Sequence, residues 1–188
     1  MSPDLKTTYL GMELANPLVV SASPVGRDIE ALIRMQEAGA AAVVLPSLFE
    51  EQIDHESYQV HAVMEHGADS FAEALSYLPE MTSYNTGPEQ YLKLVRRARK
   101  ELTVPVIASL NGASPGGWTS YATQMQEAGA HALELNVYFI AADVDETSQE
   151  VEKRYLDIVE GVRAAIEIPL AVKVGPFFSS VGHMAKQI

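Results

Sequence analysis

The hexapeptide Met-Gln-Glu-Ala-Gly-Ala occurs twice in the chain, at Met35–Ala40 and at Met125–Ala130. Each copy closes an amphipathic stretch of helical spacing and opens an apolar run. The runs are Ala41-Ala42-Val43-Val44-Leu45 and Ala132-Leu133-Glu134-Leu135-Asn136. Glycine just past a helix supplies the left-handed residue that stops it, and a short, strongly apolar run is what a strand buried on both faces looks like. A repeated helix–glycine–strand joint is the seam of a βαβ architecture, so the chain is expected to be α/β with a parallel sheet.

The remaining sequence fits that alternation. Thr7–Leu10 and Met12–Leu14 flank Gly11 and predict a hairpin ahead of the main fold. Strands are expected at Leu18–Ser23, Ala41–Leu45, Val106–Leu110, Ala132–Val137 and Leu170–Val174. Helices are expected from Ile29 to Ala38 with Asp28 as cap, from Pro88 to Leu102, from Trp118 to Ala128, from Glu150 to Ile166, and from Ser179 onward. Between Phe49 and Pro88 lies a long stretch without a clear strand, with helical spacing at Ser70–Tyr77, and it is expected to be an insertion or lid loop. No linker or composition shift divides residues 1–188, which are read as one domain. Five strand–helix units fit a doubly wound sheet or part of a (β/α)8 barrel equally well. A barrel needs roughly 200 to 400 residues, so on that reading about three units lie outside these 188 residues.

Composition excludes several functions. The chain has no cysteine, which removes disulfides, thiolate metal sites and cysteine nucleophiles. Its formal charge of −12 argues against nucleic acid or an anionic membrane as partner. No apolar run approaches the roughly 20 residues that span a bilayer, and Met1–Asp4 does not begin a signal peptide, so a cytoplasmic location is expected. His55, His61 and His66 match no helical metal pair at i, i+4, so no metal site is expected.

Polar residues gather where the strands end, which is where α/β enzymes carry their sites. Ser21 and Ser23 follow the first strand, Ser47 the second, Ser109, Asn111 and Gly112 the third, Asn136 and Tyr138 the fourth, while Lys173 falls within the fifth. A lysine inside an apolar run costs several kcal/mol unless an anion or hydrogen-bond acceptor receives it, or unless it reaches water from an edge strand. Asn136 can both donate and accept, which suits a heterocyclic ligand, or it can cap its own loop. The stretch Asn111–Gly117 lacks phosphate-loop spacing and reads as a turn, and Asp143, Asp145 and Glu146 read as solvated charge before a helix.

Taken in order, Asn16–Pro24, Ser47–Gln52, Ala108–Gly112, Leu133–Asn136 and Val172–Val174 resemble the flavin-dependent dihydroorotate dehydrogenase family, in its dihydroorotate dehydrogenase-like branch. The resemblance runs from about Thr7 to the end. It implies a (β/α)8 TIM-type barrel with an N-terminal hairpin across its base, of which this chain holds the hairpin and about five βα units. It implies FMN at the top face, with Ala22, Ser23 and Ser47 beside the flavin. Asn136 would bond flavin or substrate, Asn111 would bind substrate, and Lys173 would sit at the pyrimidine edge of the isoalloxazine. The implied chemistry removes a proton by a base and transfers hydride from a CH–CH group of a pyrimidine-related small molecule to the flavin.

Three features depart from the family pattern. Pro46 stands where members carry a lysine. The family's Asn-x-Ser-(Cys or Ser)-Pro-Asn reads Asn136-Val137-Tyr138-Phe139-Ile140-Ala141 here, so Phe139 occupies the place of the base and Ala141 that of a substrate asparagine. Tyr138 is a possible proton donor, although a phenol titrating near about 10 is a weak base. The family's phosphate-binding loops follow its seventh and eighth strands, beyond Ile188. The expectation is therefore an N-terminal portion of such an enzyme, inactive alone. Two other readings stand beside it: a Schiff-base lyase or aldolase using Lys173, and a non-catalytic half barrel that pairs with another copy or with a complementing C-terminal half.

Overall fold

A computed structural model of the chain describes residues 4–49, 88–111 and 115–188. Most of the 49–88 segment, with its three histidines, and Gly112–Ser114 lie outside the described residues.

The hairpin forms as expected. Strand β1 (Thr7–Tyr9) pairs antiparallel with β2 (Met12–Leu14). Leu10 and Gly11 turn the chain with φ of 51° and 73°, two successive positive values that match the twist of a two-residue hairpin.

Five parallel strands make the main sheet: β3 (Val19–Val20), β4 (Ala42–Phe49), β5 (Val106–Asn111), β6 (Ala132–Val137) and β7 (Leu170–Val174). Their spatial order is β3-β4-β5-β6-β7. Each strand is laid beside its predecessor with no reversal, which is how a barrel wall is wound; a doubly wound sheet would switch direction about its first strand. The fold is therefore a parallel half barrel. Helices α1 (Ile29–Glu37), α2 (Glu89–Glu101), α3 (Pro115–Glu127), α4 (Ser148–Ala165) and α5 (Val181–Gln187) complete it.

Strand periodicity sorts the side chains into two faces. Val43, Leu45, Val106, Ala108, Leu110, Leu133, Leu135 and Val137 join Leu32, Val95, Met125 and Val162 of the helices in one buried core. Each large aliphatic side chain fully buried there contributes roughly 1.5–3 kcal/mol. The intervening residues point to the opposite face, the inside of the barrel. At its N-terminal end Val44, Ile107 and Ala132 form a small cluster closed by Leu10 and Met12 of the hairpin, with Val19 and Ala22.

The repeated hexapeptide proves to be a structural joint. Gly39 and Gly129 have φ of 105° and 96°, and the N–H of Ala40 and Ala130 return to the carbonyls of Met35 (3.0 Å) and Met125 (3.2 Å). This six-residue closure is a Schellman stop. The glutamine of each copy then reaches the loop entering a later strand. Gln36 Oε1 accepts from Thr103 N (2.8 Å) and Val104 N (3.2 Å), and Gln126 Oε1 from Glu167 N (2.6 Å) and Ile168 N (3.1 Å). Both loops end in proline. The carbonyls of Pro105 and Pro169 receive the N–H of Val43 (3.0 Å) and Leu133 (2.9 Å), residues just past the two copies. The same six residues thus stop a helix, start a strand and fix the entry of the next one.

Two strands differ from the sequence reading by more than one residue at an end. The first strand pairs only at Val19 and Val20, because Pro24 opens a 3-10 turn (Pro24–Arg27) in which Gly26 N–H bonds the Ser23 carbonyl at 3.0 Å. Ala22 and Ser23 therefore sit in the connection after it. The second strand is longer than expected, running through Pro46 and Ser47 to Phe49. Its pairing with β5 shifts register between Val44 and Ser47. Proline has no N–H for the ladder, and a bulge is the place where a strand tolerates it. The Pro46 ring lies against Gly26, where an added Cβ would come within 3.0 Å of proline Cδ.

Candidate functional site

Beyond the bulge, the inner face becomes polar. One row aligns Ser47, Ser109, Glu134 and Ala171; the next, closer to the strand ends, aligns Phe49, Asn111, Asn136 and Lys173. Four expected residues, Ser47, Asn111, Asn136 and Lys173, thus share two adjacent rows of one surface. The register shift at Pro46 is what puts Ser47 opposite Ser109.

These residues form one hydrogen-bonded network. The Ser47 and Ser109 hydroxyls lie 2.8 Å apart, and Ser109 Oγ donates to Glu134 Oε1 at 3.2 Å. With the Ser109 proton given to Glu134, the Ser47 hydroxyl is the donor between the two serines. Asn136 Nδ2 donates to Ser109 Oγ (2.9 Å) and Ser47 Oγ (3.2 Å), and lies 3.5 Å from the Leu110 carbonyl. Its amide nitrogen is committed within the sheet, which leaves the amide oxygen as the atom able to meet a ligand N–H. Lys173 Nζ stands 3.5 Å from Glu134 Oε1 and closes the chain of contacts.

Tyr91 of α2 supports this network from behind. Its hydroxyl accepts the Ser109 backbone N–H at 2.8 Å. Burial raises the Tyr91 pKa far above the ordinary phenol value; the Ser109 N–H opposes that shift and the Glu134 charge adds to it. Tyr91 is therefore a neutral, fixed acceptor for a buried N–H beside the bulge.

Of the two readings left open for Lys173, the edge-strand one holds: its side chain is 64% exposed, not desolvated, while Glu134 is 16% exposed. The reason is topological: among the described strands β7 ends the sheet, and its inner face has no opposing wall. The lysine lies in an apolar sequence run because alternate residues, Leu170, Val172 and Val174, pack toward the helices.

In the segment after β6, Phe139 is engaged in packing. Phe139 stacks on Tyr155 with ring centroids 4.6 Å apart, Tyr155 meets Phe178 edge-on at 5.0 Å, and the Arg154 guanidinium lies 4.7 Å over the Phe139 ring. Burial raises the Tyr155 pKa, opposed by its backbone hydrogen bond with Phe139. Phe139 is thus a packing residue anchoring the loop to α4. Tyr138 is 60% exposed, and its ring lies over Gly175. Ala22 packs at the base of the inner face, whereas Ser23 begins the 3-10 turn. Asp143 and Asp145 are exposed as expected, whereas Glu146 is not solvated but pairs with Arg154 at 15% exposure; Thr147 and Glu150 form a capping box that lowers the Glu150 pKa. Among the described residues no group of three His, Asp or Glu could hold a metal ion.

Two residues of the network were not singled out from sequence. Glu134 carries a readable signal, since it precedes Asn136 by two and must share its face. Tyr91 carries none, because its contact depends on how α2 docks on β5.

Parallel strands in sequential order, helices on one face and a polar cluster toward the strand C-termini define one side of a (β/α) barrel with the site in the position such folds use. Solved structures of barrel type agree at the level of fold. An IMP dehydrogenase/GMP reductase-like protein from Corynebacterium glutamicum matches with a TM-score of 0.50 at 16% identity, over 98% of this chain and 46% of that one. Dihydrodipicolinate synthase DapA-2 from Bacillus anthracis matches with a TM-score of 0.50 at 10% identity, over 82% and 44%.

No family model matches the chain. Sequence relatives do. It is 28% identical over 188 residues to the catalytic subunit of dihydroorotate dehydrogenase B (NAD(+)) of Thermoplasma volcanium, covering 97% of this chain and 58% of that protein. The corresponding subunit of Methanothermobacter thermautotrophicus is 29% identical over 185 residues, 96% of this chain and 56% of that one. The NAD-dependent dihydropyrimidine dehydrogenase subunit PreA of Escherichia coli K12 is 25% identical over 195 residues, 99% and 44%. The chain is related to the dihydroorotate dehydrogenases along nearly its whole length, and it spans about half the length of these relatives.

Proposed function

We propose that the chain carries the inner-face site of an FMN-dependent oxidoreductase acting on a CH–CH bond of a pyrimidine-related substrate. The observation that supports this most is the shared row of Asn136 and Lys173, joined through Glu134 to Ser47 and Ser109. The donor set suits an isoalloxazine: an ammonium on an open face, an amide oxygen able to accept, and hydroxyls fixed beside them. FMN, when bound, supplies the ring that accepts hydride. Lys173 would hold positive charge at the edge of that ring, and Asn136 would orient it. Ser47 and Ser109 keep Asn136 in one rotamer, so the chain's own contribution is orientation and electrostatics.

The printed names of the sequence relatives, dihydroorotate dehydrogenase B and dihydropyrimidine dehydrogenase, support the pyrimidine-related substrate. Phe139 is engaged in packing, so proton removal would fall to another group than the family's base. The Schiff-base reading is weaker, because the desolvation it requires at Lys173 is not found.

Titration with FMN tests the proposal. Binding should quench flavin fluorescence and perturb the flavin spectrum, and Lys173→Met should weaken it about tenfold, a loss of about 1.4 kcal/mol. A folded protein that leaves the FMN spectrum and fluorescence unchanged sinks the idea.

A further inference from the structure

Ser47, Ser109 and Asn136 form a closed triangle of hydrogen bonds, and one carboxylate gives the triangle its direction. Ser109 Oγ has one hydrogen and two lone pairs, and all three are engaged. Its contacts are Glu134 Oε1 at 3.2 Å, Ser47 Oγ at 2.8 Å and Asn136 Nδ2 at 2.9 Å. An ionised carboxylate only accepts, so the Ser109 hydrogen goes to Glu134. Ser109 is then an acceptor toward its other two neighbours. Ser47 donates to it, and Ser47 Oγ in turn accepts from Asn136 Nδ2 at 3.2 Å. Both hydrogens of the Asn136 amide are spent inside the triangle.

Without an acceptor at position 134 the same three side chains have a second solution. The Ser109 hydroxyl is then free to donate to Asn136, whose amide turns over and presents its NH2 to the open face. The Leu110 carbonyl opposes that turn only weakly, since it lies 3.5 Å from Nδ2, at the limit of hydrogen bonding.

Stability does not account for a carboxylate at this place. Glu134 is 16% exposed, in a chain whose formal charge is already −12. Its cation, Lys173, stands 3.5 Å away and is 64% exposed, so the pair is screened by water and repays little of the cost of burying the charge. What a satisfied buried network does supply is a unique orientation of its members.

We infer that Glu134 is a positioning residue of the site: it sets the polarity of the triangle and so makes Asn136 an acceptor, not a donor, toward the ligand. The inference deepens the oxidoreductase reading and rests on it only for the identity of the ligand. Asn136 then meets a ligand edge that carries an N–H and turns away one that offers only a carbonyl.

Side-chain amide exchange of Asn136, followed by NMR on the purified chain, reads the triangle without any ligand. Both amide hydrogens should be protected in the wild type. Glu134→Leu, similar in size and unable to accept, should speed their exchange about tenfold and weaken FMN, followed by its fluorescence, by a similar factor. Glu134→Gln keeps an oxygen for the Ser109 hydroxyl and should keep the protection. Because the two residues act through one chain of bonds, adding Glu134→Leu to Ser109→Ala should cause no further loss. Melting temperature on the same samples identifies a variant that does not fold, and Glu134→Met then takes the place of the leucine. Unchanged exchange in Glu134→Leu, equal loss of protection in Glu134→Gln, or additive losses in the double variant overturns the assignment. So does an FMN affinity that stays constant where Asn136 exchange has quickened. A wild-type chain that leaves FMN unquenched, with protection lost in Glu134→Leu and kept in Glu134→Gln, supports the role of Glu134 and overturns the cofactor instead.

Discussion

Ser109 is where the individual residues of this protein converge. Its hydroxyl serves Ser47, Glu134 and Asn136, and its backbone N–H is held by Tyr91. A buried N–H left without an acceptor costs about 1–3 kcal/mol. Tyr91→Phe removes that acceptor and little else, so it should lower unfolding stability by that amount, read from the urea midpoint at unchanged slope. The Asn136 signals should also broaden in NMR spectra, because the strand backbone behind the network is loosened. Stability within about 0.5 kcal/mol of wild type, the range of ordinary surface substitutions, would show that Tyr91 only fills space. Of this network the sequence made Ser47, Ser109, Asn136 and Lys173 visible, since polar residues at strand ends stand out against apolar runs. Tyr91 was not visible, because a helix tyrosine at apolar spacing looks like any core residue.

At the scale of elements, the repeated hexapeptide does more than stop helices. Gln36 and Gln126 each hold two backbone N–H groups just before Pro105 and Pro169. Replacing either glutamine by alanine should cost about 1–2 kcal/mol in denaturant unfolding, with the two costs adding because the sites share no partner. Amide exchange should quicken at Thr103 and Val104 in one variant and at Glu167 and Ile168 in the other; no change there would refute the clamp between helix and strand entry. The repeat announced βαβ joints, and the expected strands at Ala132–Val137 and Leu170–Val174 match the structure residue for residue. The sequence reading ends the second strand at Leu45, one residue before a proline, which has no N–H for the ladder. Only the pairing of β4 with β5 shows that a bulge absorbs it.

The whole molecule responds to pH through the closed end of the sheet. His131 Nδ1 accepts the Val106 N–H at 2.9 Å where β5 begins, and burial together with the nearby Arg99 charge lowers its pKa below the usual 6.5. The unfolded chain takes up a proton at the ordinary value while the folded chain resists it. Stability is therefore complete above about 6.5, falls as pH drops through that value, and levels off below the folded pKa. Chemical denaturation at pH 7.5 and 5.5 should show the loss, and His131→Asn, whose amide oxygen can accept the same N–H without titrating, should reduce it. An identical pH dependence in the variant would remove His131 from the account. The order of strands is also a property of the whole: β3 and β7 lie at the ends of the sheet, and the inner face stands open beside β7.

The sequence by itself determined the class of fold, the joints between its units and the surface on which polar chemistry gathers. Those follow from local rules: glycine where φ must be positive, period two in strands, period near four in helices. Tertiary structure decided the rest. The choice between a barrel wall and a doubly wound sheet depends on which strands lie side by side, which periodicity does not encode. The environment of Lys173 depends on β7 being the last strand of the described sheet, so an apolar run held a lysine open to water. The resemblance put Phe139 in the place of a base, yet its packing on Tyr155 binds a loop to a helix. Burial, register and neighbourhood are properties of the folded assembly of elements, and those set the chemistry of each side chain.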